Sequence, residues 1–257
     1  MTQLVELQTS DRIATIVINR PEVRNALNRE TIASLRHAFE KVSALEQIRV
    51  ILLRGSGTDA FCAGADLTEL QHAKNIQERE DFFNGLAQLI QVMHKTPQPI
   101  ISLVHGYALA GGCGLAAAAD IVLASQTATF GLPELHIGLA PVVVMPVLHR
   151  AIGRRALADL ILSAERIDAH RAREIGLVSR VIEKELLEQE GLALANKIAA
   201  LAPHATAVAK NLLYQVSETN YDECLLSFPR KIAALSNQPE ALEGISAFTQ
   251  KRKPNWQ

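Results

Sequence analysis

The sequence predicts an α/β layer protein with a helical C-terminal region. Short apolar stretches at residues 50–53, 100–104 and 121–124 lack polar alternation, which is typical of strands that are buried on both faces. A loop and a segment with helical spacing follow these stretches, and this order is typical of an α/β fold with its chemistry in the loops. Helical patterns dominate after about residue 143, and little but helix is predicted from residue 184 onward.

The N-terminal elements follow from local patterns. Residues 4–9 and 13–18 predict a hairpin, because the turn-forming residues Ser10, Asp11 and Arg12 separate them. Asn28 predicts a helix cap, and the apolar residues after it recur at the three- and four-residue spacing of one buried helical face: Ile32, Leu35, Phe39, Val42 and Leu45. Residues 71–81 are polar and weakly patterned, which predicts a mobile loop beside the site.

The C-terminal half is expected to be largely helical. The patterns predict helices at residues 143–151 and 154–163, a helix ended by Gly176, and a last strand at 177–182. Further helices are expected at 185–201, from 203, at 220–234 and at 239–250. A helical tail with apolar stripes must cover the core or a neighbouring subunit.

Composition excludes several classes of function. A formal net charge of -1 gives no electrostatic reason to bind nucleic acid or acidic lipid. The first residues lack a signal-peptide pattern and no stretch is long and apolar enough to span a membrane, so we expect a cytoplasmic protein. Three irregularly spaced cysteines and eight histidines without a metal-binding motif predict neither a disulfide framework nor a metal site.

Residues 106–141 carry the clearest chemical signal. The Gly111-Gly112 turn opens an alanine-rich helix, and the N–H groups at a helix N-terminus stabilise negative charge, including that of an enolate. Glu134 lies further on, in a turn that contains proline, and a carboxylate there can move protons. Residues 55–60, GSGTDA, resemble a dinucleotide fingerprint, but FCAG follows where a helix should open, so dinucleotide binding is disfavoured.

Several motifs together resemble the enoyl-CoA hydratase/isomerase, or crotonase, family over essentially the full length. They are NRPEVRNALN, FCAGADL, HGYALAGGCGL, DIVLAS, FGLPELHIGL, DAHRAREIGLVSRV and AFTQKRKPNW. The resemblance implies a crotonase-like spiral of ββα units over residues 1–195 and a C-terminal helical trimerisation region over 196–257. It further implies an acyl-CoA substrate, no separate cofactor or metal, and a homotrimer or homohexamer.

The resemblance also implies roles for individual residues. The backbone N–H groups of Ala65 and Gly111 correspond to the oxyanion hole. The expected contacts of the coenzyme A moiety are Arg24, Ala63, Asp66, Leu67 and, from an adjacent subunit, Lys251. Glu134 matches one of two family glutamates that handle protons, whereas Gly114 stands at the position of the other.

The missing second acid leaves the reaction open. Hydration requires both a base and an acid, so Glu134 must serve both steps, or the site catalyses isomerisation or decarboxylation instead. We expect hydration first and isomerisation second. A role for His136 or His105 as the missing acid is disfavoured.

The GGxGL helix start and the GLAP run after Glu134 are similar to a branch that hydrates branched-chain or glutaconyl-type CoA substrates. This suggests the hypothesis that Gly114 makes room for a bulky acyl chain or spares a substrate carboxylate from repulsion.

Overall fold

The computed structural model describes residues 3–256. Its strands are, in chain order, β1 (Val5–Ser10), β2 (Ile13–Ile18), β3 (Val50–Gly55), β4 (Ala60–Cys62), β5 (Ile100–Val104), β6 (Tyr107–Leu109), β7 (Ile121–Ser125), β8 (Thr129–Gly131), β9 (Arg166–Asp168) and β10 (Arg180–Ile182). Its helices are α1 (Arg29–Ser43), α2 (Leu67–His72), α3 (Ile76–Lys95), α4 (Gly111–Ala117), α5 (Met145–Ser163), α6 (Ala169–Glu174), α7 (Leu187–Ala199), α8 (Pro203–Glu218), α9 (Tyr221–Ser236) and α10 (Pro239–Thr249). Short 3₁₀ turns lie at Pro21–Val23, Pro133–Ile137 and Lys184–Leu186.

The strands form two sheets between which the chain alternates. A six-stranded sheet has the order β1-β2-β3-β5-β7-β10, and a four-stranded sheet has the order β4-β6-β8-β9. Strands β3, β5 and β7 each enter the first sheet, the next strand enters the second, and helices follow. This confirms the predicted spiral of ββα units, and the antiparallel β1–β2 pair confirms the predicted hairpin.

Apolar layers cover both faces of the six-stranded sheet. Ile51 and Leu53 belong to the main core, which includes residues of α1 and α3, whereas Val50 and Leu52 belong to a second cluster that includes residues of α7. Because successive side chains on a strand point to opposite faces, a strand with apolar residues at every position is buried on both. This accounts for the lack of alternation in the sequence.

The expectation of a loop over residues 71–81 was wrong. Helix α2 ends at His72 and α3 begins at Ile76, so only residues 73–75 connect them. Asn75 caps α3 by accepting a hydrogen bond from the Glu78 N–H at 2.9 Å, and the Glu78 carboxylate accepts one from the Lys74 N–H at 2.8 Å. These two bonds resemble a capping box, a local signal that the polar composition concealed.

One further boundary differs from the expectation. The last strand begins at Arg180 and not at Leu177, because the N–H groups of Leu177 and Val178 both donate to the Ala172 carbonyl and close α6. The two helices expected between residues 143 and 163 are confirmed, because α5 is interrupted at Gly153, whose φ of 71° and ψ of 172° are not helical.

A buried ion pair joins the C-terminal helices to the six-stranded sheet. The Lys210 Nζ on α8 lies 2.8 Å from the Asp120 Oδ2 and donates to the Gln98 carbonyl at 3.0 Å. Asp120 also accepts hydrogen bonds from the Ile100 N–H at 2.7 Å and the Tyr214 hydroxyl at 3.2 Å. Helix α8 therefore packs against the sheet through a fully partnered carboxylate.

Across residues 3–256 no individual helix has the length and hydropathy needed to cross a membrane. The consecutive pair Lys184–Ala199 and Pro203–Glu218 meets that requirement jointly, but the pair is bent by 108°.

Candidate active site

The site is built at the N-terminus of α4, as the glycine-rich turn predicts. Helix α4 begins at Gly111, directly after β6, and Ala110 precedes it with φ 51° and ψ -123°. An L-residue rarely adopts this conformation, which is a form of local strain that clusters at functional sites. No local pattern predicted that an alanine would adopt it.

Glycines allow the chain after β4 to approach α4 closely. A Cβ atom at Gly112 would lie 2.1 Å from the Cys62 carbonyl oxygen, and one at Gly64 would lie 2.8 Å from the Ala110 Cβ. Both contacts are too short for any side chain, so glycine is required at these two positions.

This approach brings the two expected oxyanion donors together. The position of a Cβ on Gly111 is 3.9 Å from the Ala65 backbone nitrogen. Within residues 3–256 the N–H groups of Ala65 and Gly111 have no backbone acceptor, and the first-turn N–H groups of a helix have no partner within it. Two such donors can stabilise an oxygen that becomes negatively charged.

The residues expected to contact coenzyme A lie on two adjacent segments. The Ala63 N–H donates to the Arg24 carbonyl at 3.0 Å, and the Leu27 N–H donates to the Gly64 carbonyl at 2.7 Å. Arg24, Ala63 and Ala65 are thus brought together by parallel pairing of residues 24–27 with 63–66. Leu67 follows at the start of α2 and is half exposed.

A buried asparagine fixes the turn that carries Arg24. Arg24 and Asn25 both have left-handed backbone conformations, with φ of 55° and 56°. The Asn25 side chain donates to the carbonyls of Ser56 at 2.9 Å and Ala60 at 2.7 Å, and accepts from the Arg20 N–H at 2.9 Å. The middle asparagine of NRPEVRNALN, Asn25, is therefore a structural residue.

Both carboxylate oxygens of Asp66 have partners within the protein, on Arg20 and Thr68. Its Oδ2 lies 2.9 Å from an Arg20 guanidinium nitrogen, and its Oδ1 accepts from the Thr68 N–H, which caps α2. Burial raises the pKa of Asp66, but hydrogen bonding to Arg20 and the charge of Arg20 outweigh it, so the net pKa lies below the ordinary value. The side chain is therefore an ionised structural contact.

Two arginines flank an aromatic ring beside Arg24's turn. The guanidinium carbon of Arg24 lies 5.9 Å from the centre of the Tyr107 ring, and that of Arg166 lies 5.4 Å from it. Sequence reasoning missed Tyr107 and Arg166, since only the pairing of β4, β6, β8 and β9 brings them close to Arg24. Together they form a cationic surface that suits phosphate groups.

Glu134 lies in the 3₁₀ turn Pro133–Ile137. The strand before this turn, β8, ends beside the N-terminus of α4, because the Ala110 N–H donates to the carbonyl of Gly131 at 2.9 Å. Glu134 is half-buried, and its Oε2 has no hydrogen-bond partner among residues 3–256. Burial raises the pKa of the Glu134 carboxyl above its ordinary value. A desolvated carboxylate with a free oxygen is suited to proton transfer.

Gly114 does not leave an open space. A Cβ at this position would lie 2.2 Å from the Val144 Cγ1 and 2.4 Å from the Val144 Cβ. The hypothesis that Gly114 makes room for a bulky acyl chain was therefore wrong, because Val144 occupies the space next to it. The contact between Val144 and Gly114 was not predicted from the sequence, since thirty residues separate the two along the chain.

The remaining candidates lie apart from this arrangement or are poorly suited to it. Lys251 is exposed after α10, a helix that packs against α8 and α9. His136 is exposed, and burial, with a smaller effect of the Arg54 charge, lowers the pKa of His105. After β3 the GSGTDA segment leads through a loop into β4. A dinucleotide fingerprint would lead into a helix, so this order agrees with the expectation that dinucleotide binding is disfavoured. In residues 3–256 no three His, Cys, Asp or Glu side chains form a group that could hold a metal ion.

Comparison with known proteins agrees with this geometry. The model of the enoyl-CoA hydratase/isomerase family matches residues 8–257. A probable enoyl-CoA hydratase of Rhizobium meliloti is 37% identical, over 98% of this chain and 96% of its own length. The 2,3-dehydroadipyl-CoA hydratase of Escherichia coli is 34% identical, over 100% of this chain and 99% of its own.

Solved structures are similar over the same extent. An enoyl-CoA hydratase of Mycobacterium smegmatis superposes with a TM-score of 0.95 at 33% identity, covering 99% of each chain. Human enoyl coenzyme A hydratase domain-containing protein 3 superposes with a TM-score of 0.95 at 28% identity, covering 99% of this chain and 100% of its own. Both the sequence match and the spiral of ββα units thus extend over nearly the whole molecule. The chain belongs to the enoyl-CoA hydratase/isomerase family.

Proposed function

We propose that this protein is an enoyl-CoA hydratase that adds water to an α,β-unsaturated acyl-CoA thioester. The observation that carries the proposal is the half-buried Glu134, whose Oε2 is unpartnered within residues 3–256, on a segment that begins beside the free N–H groups of Ala65 and Gly111. The names of the relatives favour hydration over the isomerisation and decarboxylation that the sequence left open.

In the proposed reaction Glu134 serves as both base and acid. Its carboxylate takes a proton from water while the water oxygen bonds to the β-carbon, and the electrons of the double bond move into the thioester to form an enolate. The N–H groups of Ala65 and Gly111 stabilise the enolate oxygen. The protonated Glu134 then returns the proton to the α-carbon, which restores the carbonyl group.

The reaction so written needs no metal or organic cofactor, because the protein's N–H groups carry the stabilisation. Coenzyme A is part of the substrate. Arg24 and Arg166 beside Tyr107 would pair with its phosphates, and Ala63 and Leu67 would line its path. Lys251 would reach the coenzyme A of an adjacent subunit.

Assembly into a homotrimer, or a hexamer of paired trimers, belongs to the same proposal. Large apolar side chains are exposed on the C-terminal helices: Leu213, Leu225, Leu226, Ile232 and Phe248. Such a surface is typical of a subunit interface. A cytoplasmic location also stays a prediction, which the buried free thiols of Cys62, Cys113 and Cys224 suit.

The test is turnover of crotonyl-CoA, followed by loss of the conjugated thioester absorbance and by mass spectrometry of the hydrated product. Glu134→Gln should lower kcat by about 10²–10⁴-fold, because it removes the proton carrier without changing the size of the side chain. Glu190→Gln, on an exposed glutamate of α7, is the matched control and should keep full activity. Full activity of Glu134→Gln would show that the proton carrier lies elsewhere.

A further inference from the structure

Gly114 and Val144 exclude each other's side chains. The Cβ position of Gly114 lies within 2.4 Å of both the Cβ and the Cγ1 of Val144, and real Cβ atoms do not approach other heavy atoms so closely. Val144 is 2% exposed and Gly114 is buried. The three heavy atoms nearest to that Cβ position all belong to Val144, so this side chain fills the space beside Gly114.

This pair lies next to the reactive centre. Gly114 belongs to the first turn of α4, which begins at the oxyanion donor Gly111, and its N–H donates to the Ala110 carbonyl at 3.2 Å. Val144 precedes α5, and the turn that contains Glu134 packs against α5. Val144 thus lies between the first turn of α4 and the start of α5, the helix against which the Glu134 turn packs.

We propose that Val144 determines acyl specificity by excluding substrates with a substituent on the α-carbon. The inference rests on the proposed function. The donors hold the thioester carbonyl at the N-terminus of α4, and the α-carbon is bonded directly to that carbonyl. A methyl group on the α-carbon competes with the Val144 side chain for the volume beside the first turn.

The test compares crotonyl-CoA with its 2-methyl derivative. Val144→Gly should raise the ratio of kcat/KM for the branched over the linear substrate by about tenfold or more, because the new volume accepts the methyl group. Val144→Ala should raise the ratio less. Gly114→Ala combined with Val144→Gly should return the ratio toward its original value, since the new methyl group refills the space.

The matched control is Val142→Gly, which makes the same substitution in the same turn at a side chain that is 67% exposed. It should leave the ratio unchanged. An unchanged ratio in both Val144→Gly and Val144→Ala would overturn the proposal and make Val144 a core residue only. An equal rise in Val142→Gly would overturn it too, because flexibility of the turn would then be the cause.

Two measurements separate this proposal from the proposed function. The binding of butyryl-CoA and 2-methylbutyryl-CoA, measured by calorimetry, should show the same change of ratio whether or not the chain hydrates anything. Thermal melting tests the steric pair: Gly114→Ala with Val144→Ala should stay destabilised, since the two Cβ atoms still clash, whereas Gly114→Ala with Val144→Gly should recover. Equal melting temperatures for the two double variants would contradict the exclusion.

Discussion

At the scale of single residues, one side chain carries the proposed chemistry. Glu134 was identified from the sequence because it follows a proline in a turn, at a family motif. Its desolvation was not readable there, since it depends on the packing of the Pro133–Ile137 turn beside α5. The same limit explains why the contact of Val144 with Gly114 and the position of Arg166 beside Tyr107 were missed, since in both cases the neighbour is distant in sequence.

Burial of Glu134 predicts an acid limit on activity at a higher pH than an ordinary glutamate would give. The carboxylate is the active base, and burial raises its pKa above the ordinary value, so kcat/KM should fall as the pH drops through that raised pKa. A pH profile of kcat/KM for crotonyl-CoA measures it.

Protonation of Glu134 would not unfold the protein, so unfolding through this carboxyl would not account for the loss of kcat/KM at low pH. A carboxyl whose pKa is raised on folding binds its proton more tightly in the folded state, so its protonation favours folding. Circular dichroism over the same pH range provides the control. An acid limit no higher than that of an ordinary glutamate would contradict a desolvated Glu134 as the base.

At the scale of elements, short-range patterns predicted where helices and strands lie, and long-range contacts decided what they do. The β1–β2 hairpin, the cap at Asn28 and the helix start at Gly111 follow from local rules. The pairing of residues 24–27 with 63–66 does not, because its backbone hydrogen bonds, and those of Asn25 with Ala60 and of Asp66 with Arg20, join residues that are distant in sequence.

The Arg20–Asp66 contact should therefore stabilise the fold more than a surface ion pair does. Asp66→Asn removes a charge-assisted hydrogen bond between side chains that are only 12% and 17% exposed. We expect the free energy of unfolding, measured with urea at pH 7, to fall by about 1–3 kcal/mol. The native stabilisation should be present above the unfolded pKa of Asp66 and be lost as the pH falls through its depressed folded value.

The control is Glu174→Gln, which breaks the exposed Arg171–Glu174 pair, whose side chains are 50% and 66% exposed. It should change the free energy of unfolding by less than about 1 kcal/mol. Equal losses in the two variants would show that Asp66 does not lock its segment.

At the scale of the whole molecule, the C-terminal helices face two ways. The buried Lys210–Asp120 pair ties α8 to the sheet, whereas the outer faces of α8, α9 and α10 expose large apolar side chains. The sequence predicted both a covering tail and its apolar stripes. It did not show which stripe covers the core, since an apolar helical face has the same pattern in either role.

The exposed faces predict self-association. Light scattering after size exclusion should give three or six times the chain mass of 28.0 kDa. Leu226→Glu with Phe248→Glu, at side chains that are 83% and 85% exposed, should give a monomer with an unchanged circular dichroism spectrum. Ile76→Glu, at a 79% exposed side chain on α3, should leave the assembly intact. A monomeric unmodified protein would refute the proposed assembly.

The backbone of Ala110 has a consequence for how this protein responds to selection. Its conformation, with φ 51° and ψ -123°, is one that glycine adopts freely and alanine adopts at a cost of about 1–3 kcal/mol. Its Cβ packs beside Gly64, and the residue directly precedes Gly111, whose N–H group is the expected oxyanion donor. Selection for heat resistance alone would favour glycine at position 110, whereas selection for turnover would retain the strained alanine.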